Sequence, residues 1–354
     1  MFQTSTPPTK IRPAPEVTSN PIDGFVVDPD DIAYIGSDLQ RPECILAERD
    51  GILWSADARG GVVRIDTANG EQELIHQGTD TGFADAADDA TRFTQGTLPN
   101  GLAFTKDGDI LVSNFGTDRL ELMTRAGENR VLYDSIDGEP IGKVNFVIRD
   151  SKGRVYMTIS TMIPNWMEAI SPNISDGRIV LVDERGIRVV ADGLAFTNEI
   201  RLDATEEWMY IAETTGKRVS RMRVQPDGSL SDYEIYGPTD TGALIDGIAF
   251  DAHGNLWGTH VFNDHIFAIT PDGDLRIILD DDNGSEAGAE VLRAFEEDRM
   301  TSDIMLAAGG TIAPWMASVT FGGPDLRTVY IGSLRGTRIP YFTSPVAGLP
   351  LTHW

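Results

Sequence analysis

DGIAFDAHGNLWGTH, residues 246–260, is a polar residue, an apolar strand, a polar turn, and a second apolar strand that carries an aromatic. Apolar and polar residues alternate with a period of two, so the segment is a hairpin rather than a helix. Working outward, the same pattern returns as ECILAERDGILWSAD from Glu43, NGLAFTKDGDILVSN from Asn100 and NFVIRDSKGRVYMTI from Asn145. It returns again as NEIRLDATEEWMYIAE from Asn198 and SVTFGGPDLRTVYIGS from Ser318. Equivalent positions of the second strand hold Trp54, Leu111, Tyr156, Tyr210, Trp257 and Tyr330. A third strand follows most copies, as in GGVVRID, DRLELMT, GRIVLVD, KRVSRMRV and DHIFAIT. The copies start 57, 45, 53, 48 and 72 residues apart, and the short spacings, each with several short strands, predict one four-stranded blade per copy. The fold class is therefore all-β: a six-bladed β-propeller.

The sixth copy is short of strands. Only GTRIPYFTSP follows Ser333, whereas DIAYIGSD, Asp31 to Asp38, precedes the first copy. Pairing that N-terminal strand into the last blade closes the ring and hides its edges. The expected organisation is an extended, Pro- and Thr-rich arm over 1–23 and one propeller domain over 24–354. Two stretches interrupt the repeat. One is a polar loop over 74–97; the other covers 280–315 and has helical spacing from Glu286 to Arg299 (Val291, Leu292, Phe295). The second reads as a short helical insertion, a lid beside the site.

Bulk properties narrow the function. The formal charge is −26, and phosphate binding needs a Lys/Arg surplus, so a nucleic-acid partner is excluded. No apolar run approaches the roughly 18 residues of a membrane span, and the N-terminus lacks an apolar signal region. Cys44 is the single cysteine, so there is no disulfide framework and a reducing cytoplasm is expected. No Gly-x-Ser-x-Gly elbow or phosphate-cradling Gly-Lys-Ser/Thr loop is present.

The first strand of a propeller blade lines the central channel. Glu43, Asn100, Asn145, Asn198, Asp246 and Ser318 stand at matching starts, so they converge at one end of it. All six bear oxygen and two are carboxylates. Hard oxygen donors suit Ca²⁺, with Mg²⁺, Mn²⁺ or Zn²⁺ as alternatives, although no His/Cys cluster of the usual zinc kind occurs. Three residues past the aromatic position stand Asp57, Asn114, Ile159, Glu213, His260 and Ser333, which should ring the mouth. Glu213 and His260 are the acid–base candidates. Asn100, Asn114, Asp57, Arg59, Trp166 and Ser333 are candidate substrate contacts.

The chain resembles the senescence marker protein/gluconolactonase family, also called the regucalcin family, over roughly residues 40 to 350. ADGLAFTNEIRLD around Asn198, DGIAFDAHGNLW and VTFGGPDLRTVYIGS carry the resemblance, and Asn145 with Asp150 and Gly153 fits the third-blade motif. The resemblance implies a metal held by Glu43, Asn145, Asn198 and Asp246, with Asp246 as the base that activates water. The sequence departs from the family pattern at Cys44-Ile45, where Gly-Pro is usual, at Phe146, where Asp is common, and at Glu199, where Gly is common. Paraoxonases and squid-type diisopropylfluorophosphatases share the implied metal arrangement. Plant strictosidine-synthase-like propellers share the scaffold without it.

The expected activity is metal-dependent opening of a small lactone by carbonyl polarisation and water attack. A carboxylate on a cation is a weak base, which favours Glu213, or Asp246 only if it moves off the metal; the resemblance favours Asp246. The competing readings are a calcium-binding or partner-binding propeller without catalysis, and a phosphotriesterase-type hydrolase. Apolar residues of the insertion (Ile304, Met305, Leu306, Pro314, Trp315, Met316) and of STMIPNWM (Met162, Ile163, Trp166) are expected to roof the mouth, favouring an aromatic or alkyl lactone over a sugar lactone.

Overall fold

A computed structural model gives the fold and describes residues 19–76 and 81–354. Among the described residues, the strands form six four-stranded sheets and one two-stranded ribbon (Ser135–Ile136 with Glu139–Pro140). The innermost strands are Ile45–Ala47, Pro99–Phe104, Val144–Arg149, Thr197–Leu202, Ile245–Phe250 and Met316–Gly322. They belong to blades 1 to 6 in chain order, and each pairs antiparallel with the strand that follows it. The ring closes as expected: Ala33–Ile35 pairs antiparallel with Ile339–Thr343, so the last blade takes three strands from the end of the chain and one from its beginning.

The repeated aromatic holds neighbouring blades together. Trp54 meets Phe104 edge-on with ring centres 6.3 Å apart. Tyr210 meets Phe250 at 4.8 Å and Trp257 meets Phe321 at 5.4 Å in the same way. In each pair the second strand of one blade packs against the innermost strand of the next. Such T-shaped pairs contribute about 0.5–1.5 kcal/mol beyond their burial. Hairpin turns are tied by a recurring acid: Asp251 accepts N–H groups from His253 and Asn255 and from the Trp257 indole, while Glu48 accepts from the Trp54 indole.

Three short helices interrupt the strands among the described residues: α1 (Asp89–Thr94), α2 (Glu286–Glu296) and α3 (Ser302–Ala307). The helix read from the spacing of Val291, Leu292 and Phe295 is α2; Ser285 caps it by accepting the Gly288 N–H at 2.9 Å. Most of the arm expected over 1–23 lies outside the described residues. Its end is docked: Ile22 is buried between blades 5 and 6, and Asn20 donates to Asn255 Oδ1 at 2.6 Å.

Candidate active site at one end of the channel

Each polar residue that starts an innermost strand in blades 2 to 5 sits in a β-bulge. The registers run Pro99↔Asn114 to Leu102↔Val112, Val144↔Ile159 to Val147↔Met157, Thr197↔Glu213 to Ile200↔Ile211, and Ile245↔His260 to Ile248↔Gly258. In each, one extra residue is carried on the inner strand. The bulged pairs are Asn100–Gly101, Asn145–Phe146, Asn198–Glu199 and Asp246–Gly247. A bulge re-aims a side chain that regular pleating would place elsewhere. Freed N–H groups are capped from the second strand: Thr158 Oγ1 accepts from Phe146 N at 3.0 Å and Thr259 Oγ1 from Gly247 N at 2.9 Å. Gly247 is required by crowding, because a Cβ there would lie 2.6 Å from Ser318 Cα of the adjoining blade.

Glu43, Asn100, Asn145, Asn198 and Asp246 thereby converge on one cavity of about 40 Å³. Ser318 does not join them; it pairs in register with Gly332, and its hydroxyl donates to the Glu43 carbonyl. Asn100 organises the cluster. Its Nδ2 lies 3.1 Å from Glu43 Oε1, 3.2 Å from Asn145 Oδ1 and 3.2 Å from the Asn145 carbonyl. Glu43 Oε2, Asn198 Oδ1 and Asp246 Oδ1 are buried with no hydrogen-bond partner. Burial, then Asp246, pushes the Glu43 carboxyl well above the usual range; burial, then Glu199, does the same to Asp246. Two buried acids held against ionisation, beside oxygens left without donors, suit a cation of hard character. Among the described residues no three His, Cys, Asp or Glu side chains are grouped as a metal cluster, and the donor set here is two carboxylates with amides.

The expected mouth ring is instead a set of staples. Asp57 Oδ2 accepts the Gln40 N–H at 3.0 Å, Asn114 Oδ1 the Leu98 N–H at 3.1 Å, and Glu213 Oε2 the Ala195 N–H at 2.9 Å. Each fixes the chain two or three residues before an inner-strand donor. Ser333 does similar work, bonding Pro314 O and receiving the Gly336 N–H. Arg59 forks onto Asp57 rather than facing the cavity. Glu213 also accepts from Arg218 and from the Tyr233 hydroxyl at 2.6 Å; against its burial, Ser220, Tyr233, the Ala195 N–H and the Arg218 charge together hold its carboxyl below the usual range. It is a poor base and does not line the cavity. His260 does not line it either: it stacks on Phe267, lies 3.3 Å from His265 Nδ1, and burial with His265 lowers its pKa to about 3.

The roof is apolar, in two layers. Phe115, Trp166, Ile170, Phe196, Val261, Phe262 and Leu334 line the cavity. Trp166 is fixed by donating its indole N–H to the Phe93 carbonyl at 2.7 Å. The 280–315 insertion forms the outer layer, not the lining: Trp315 packs 5.0 Å from Phe262 and 5.0 Å from Phe93, with Phe295 and Met305 in the same cluster. Met162 and Ile163 likewise stay out of the lining. The sequence reading missed Arg41, a buried cation that lines the cavity.

Fold and site together define a six-bladed propeller with an oxygen-lined pocket at one end of its channel. Residues 41–280 match the model of the SMP-30/Gluconolactonase/LRE-like region, and the chain belongs to that family. Over 227 residues it is 26% identical to the adipocyte plasma membrane-associated protein of Homo sapiens, covering 62% of this chain and 49% of that one. Over 165 residues it is 26% identical to a 6-deoxy-6-sulfogluconolactonase of Pseudomonas putida, covering 46% of each. The chain spans about half the length of the curated relatives it matches. The fold is similar to that of a solved protein described as regucalcin, a calcium-binding protein from Agrobacterium tumefaciens, with a TM-score of 0.63, 14% identity, and coverage of 91% of this chain and 98% of that one. No helix among the described residues is long and apolar enough to cross a membrane.

Proposed function

We propose that this protein is a divalent-cation-dependent lactonase, with Ca²⁺ the cation and Glu43, Asn145, Asn198 and Asp246 the residues that hold it. The carrying observation is the set of buried, partnerless oxygens on Glu43, Asn198 and Asp246, contributed by three separate blades. When bound, the cation supplies Lewis-acid polarisation of the lactone carbonyl. Asn100 keeps Glu43 and Asn145 in place through its amide. Asp246, once it lets go of the cation and regains its basicity, takes a proton from the attacking water, since Glu213 is committed to Arg218, Tyr233 and Ala195. That proton passes to the ring oxygen as the acyl C–O bond breaks, leaving a hydroxy acid. Phe115, Trp166 and Phe262 exclude bulk water and offer apolar surface to the substrate. The one cysteine, buried and unpaired, goes with our assignment to a reducing cytoplasm.

The test is pH-stat acid release on a lactone panel, with chelator and after Ca²⁺ is restored. Hydrolysis that chelation abolishes and Ca²⁺ returns is the expected result. Hydrolysis indifferent to chelation would remove the cation from the reaction, and no turnover of any lactone would leave a binding propeller.

A further inference from the structure

Arg41 is the only cationic side chain among the described residues that line the cavity. Its backbone is left-handed, with φ of 58°, an uncommon state for a residue with a side chain that persists only where its surroundings enforce it. Its carbonyl accepts the Glu43 N–H at 2.8 Å, so the same turn that presents Arg41 also presents Glu43. The guanidinium donates from Nη1 to the Pro99 carbonyl at 2.9 Å and from Nη2 to Asn100 Oδ1 at 2.5 Å. These bonds use two of the five N–H groups that a guanidinium carries.

Charge counting gives this residue a meaning. Glu43 and Asp246 bring two negative charges to the cavity and Arg41 one positive. Glu199 pairs with Arg201 at 2.8 Å, so that pair adds no net negative charge to the count. A divalent cation that holds both acids ionised therefore leaves the cavity with a net charge of about +1 in a buried, apolar-roofed setting. Such a site is complete only with one anion in it. Lactone hydrolysis generates one: the carboxylate of the hydroxy acid. A guanidinium is suited to a carboxylate by its planar fork of donors.

We propose that Arg41 makes the cation-loaded cavity a receptor for one carboxylate, so that the product hydroxy acid is bound through Arg41 with its carbon chain beneath Phe115, Trp166 and Phe262. This rests on the cation assigned above. The alternative is that Arg41 is only a resident counter-ion that braces Asn100.

Isothermal titration calorimetry on the full chain separates the two. The probes are Ca²⁺ alone, then 3-(2-hydroxyphenyl)propanoate and its neutral amide, with saturating Ca²⁺ or with EDTA. The expected result is that the acid binds the Ca²⁺ form at least tenfold tighter than the amide does, and that EDTA abolishes this preference. Arg41→Gln should lose at least tenfold in acid affinity while binding Ca²⁺ as tightly or more tightly, and Arg41→Lys should fall between. Equal binding of acid and amide by the wild type, or an Arg41→Gln protein that keeps its acid affinity, overturns the proposal. So does an Arg41→Gln protein that melts normally but has lost Ca²⁺. If that variant does not fold, Arg41→Lys and the wild-type acid/amide comparison decide by the same criteria. A wild type that binds no Ca²⁺ brings down the cation reading as well, whereas Ca²⁺ binding without acid preference brings down this inference alone.

Discussion

Asn100 Nδ2 stands 3.1 Å from Glu43 Oε1, joining the first two blades through a side-chain contact between residues far apart in the chain. The same nitrogen reaches Asn145 of the third blade. Replacing Asn100 by Asp removes these donations and brings a third acid to Glu43 and Asp246. In chelator, Asn100→Asp should lose about 1–3 kcal/mol, the cost of buried groups left unsatisfied. Added Ca²⁺ should raise its melting temperature more than it raises that of the wild type. Melting curves in EDTA and in Ca²⁺ check this, and an equal Ca²⁺ shift in both proteins would contradict it.

Asp246 and Glu213 should part company under isosteric substitution. Asp246→Asn removes the proposed proton acceptor, which is also proposed to hold the cation, so at saturating Ca²⁺ kcat should fall about 10²- to 10⁴-fold. Glu213→Gln weakens a staple, so stability should fall by about 1–3 kcal/mol while kcat changes little. Urea unfolding alongside steady-state kinetics measures both. A large kcat loss in Glu213→Gln with normal Ca²⁺ affinity would restore Glu213 as the base.

His260 should make stability fall in mild acid. Its folded pKa is depressed to about 3 by burial and by His265, below the usual histidine value near 6.5. The unfolded chain therefore takes up a proton that the folded one refuses. Its contribution is fully present above about pH 6.5 and is lost as pH falls toward 3, at up to about 1.4 kcal/mol per pH unit. Buried acids such as Glu199, pushed up to about 7, act in the opposite sense, so the variant difference is what counts. His260→Phe should lose less stability than the wild type between pH 7 and pH 5 in urea titrations. Parallel losses would mean that His260 titrates normally in the folded protein.

Gly332 is irreplaceable for a steric reason. A Cβ there would collide with the Glu43 carbonyl oxygen and the Ser318 hydroxyl. Gly332→Ala should displace Glu43, cost about 1–3 kcal/mol and weaken Ca²⁺ binding. Calorimetry and thermal melting read both effects; unchanged Ca²⁺ affinity would show that Glu43 tolerates the shift.

Substrate choice should follow the roof. Dihydrocoumarin or an alkyl lactone should show a higher kcat/KM than gluconolactone, because the lining is mainly aromatic and aliphatic on that side and burying apolar surface is worth roughly 25 cal/mol per Å². Gluconolactone turning over as fast would reverse the order.

The blades, their closure and the five converging donors were legible because each rests on a local, repeated pattern. The aromatic in the second strand repeats since it packs the same way between blades. The staples were misread for the opposite reason. Asp57, Asn114 and Glu213 repeat in sequence as faithfully as the converging inner-strand residues do, yet what they bond is backbone N–H of a preceding loop, a partner that period alone does not reveal. The bulges were hidden because a one-residue register shift leaves no compositional mark, apart from the threonines at 158 and 259 that cap two of them. Arg41 had a signal: a charged residue two places before Glu43, at the threshold of a buried run.

The other end of the channel has its own occupant. Residues 349–353 lie across it: Leu349 N bonds Phe250 O at 2.8 Å in blade 5, the Thr352 hydroxyl bonds Arg149 O at 3.2 Å in blade 3, and His353 Nε2 lies 2.9 Å from Ala47 O in blade 1. Above this strap is a second cavity of about 190 Å³, lined in part by Cys44, Phe146 and Arg201, with the Arg201 guanidinium 4.4 Å over the Phe146 ring. The pore is thus a well with a bottom, not a passage. Anything admitted on the Trp166 side meets this floor and leaves by the side it entered, so one bound molecule keeps out the next.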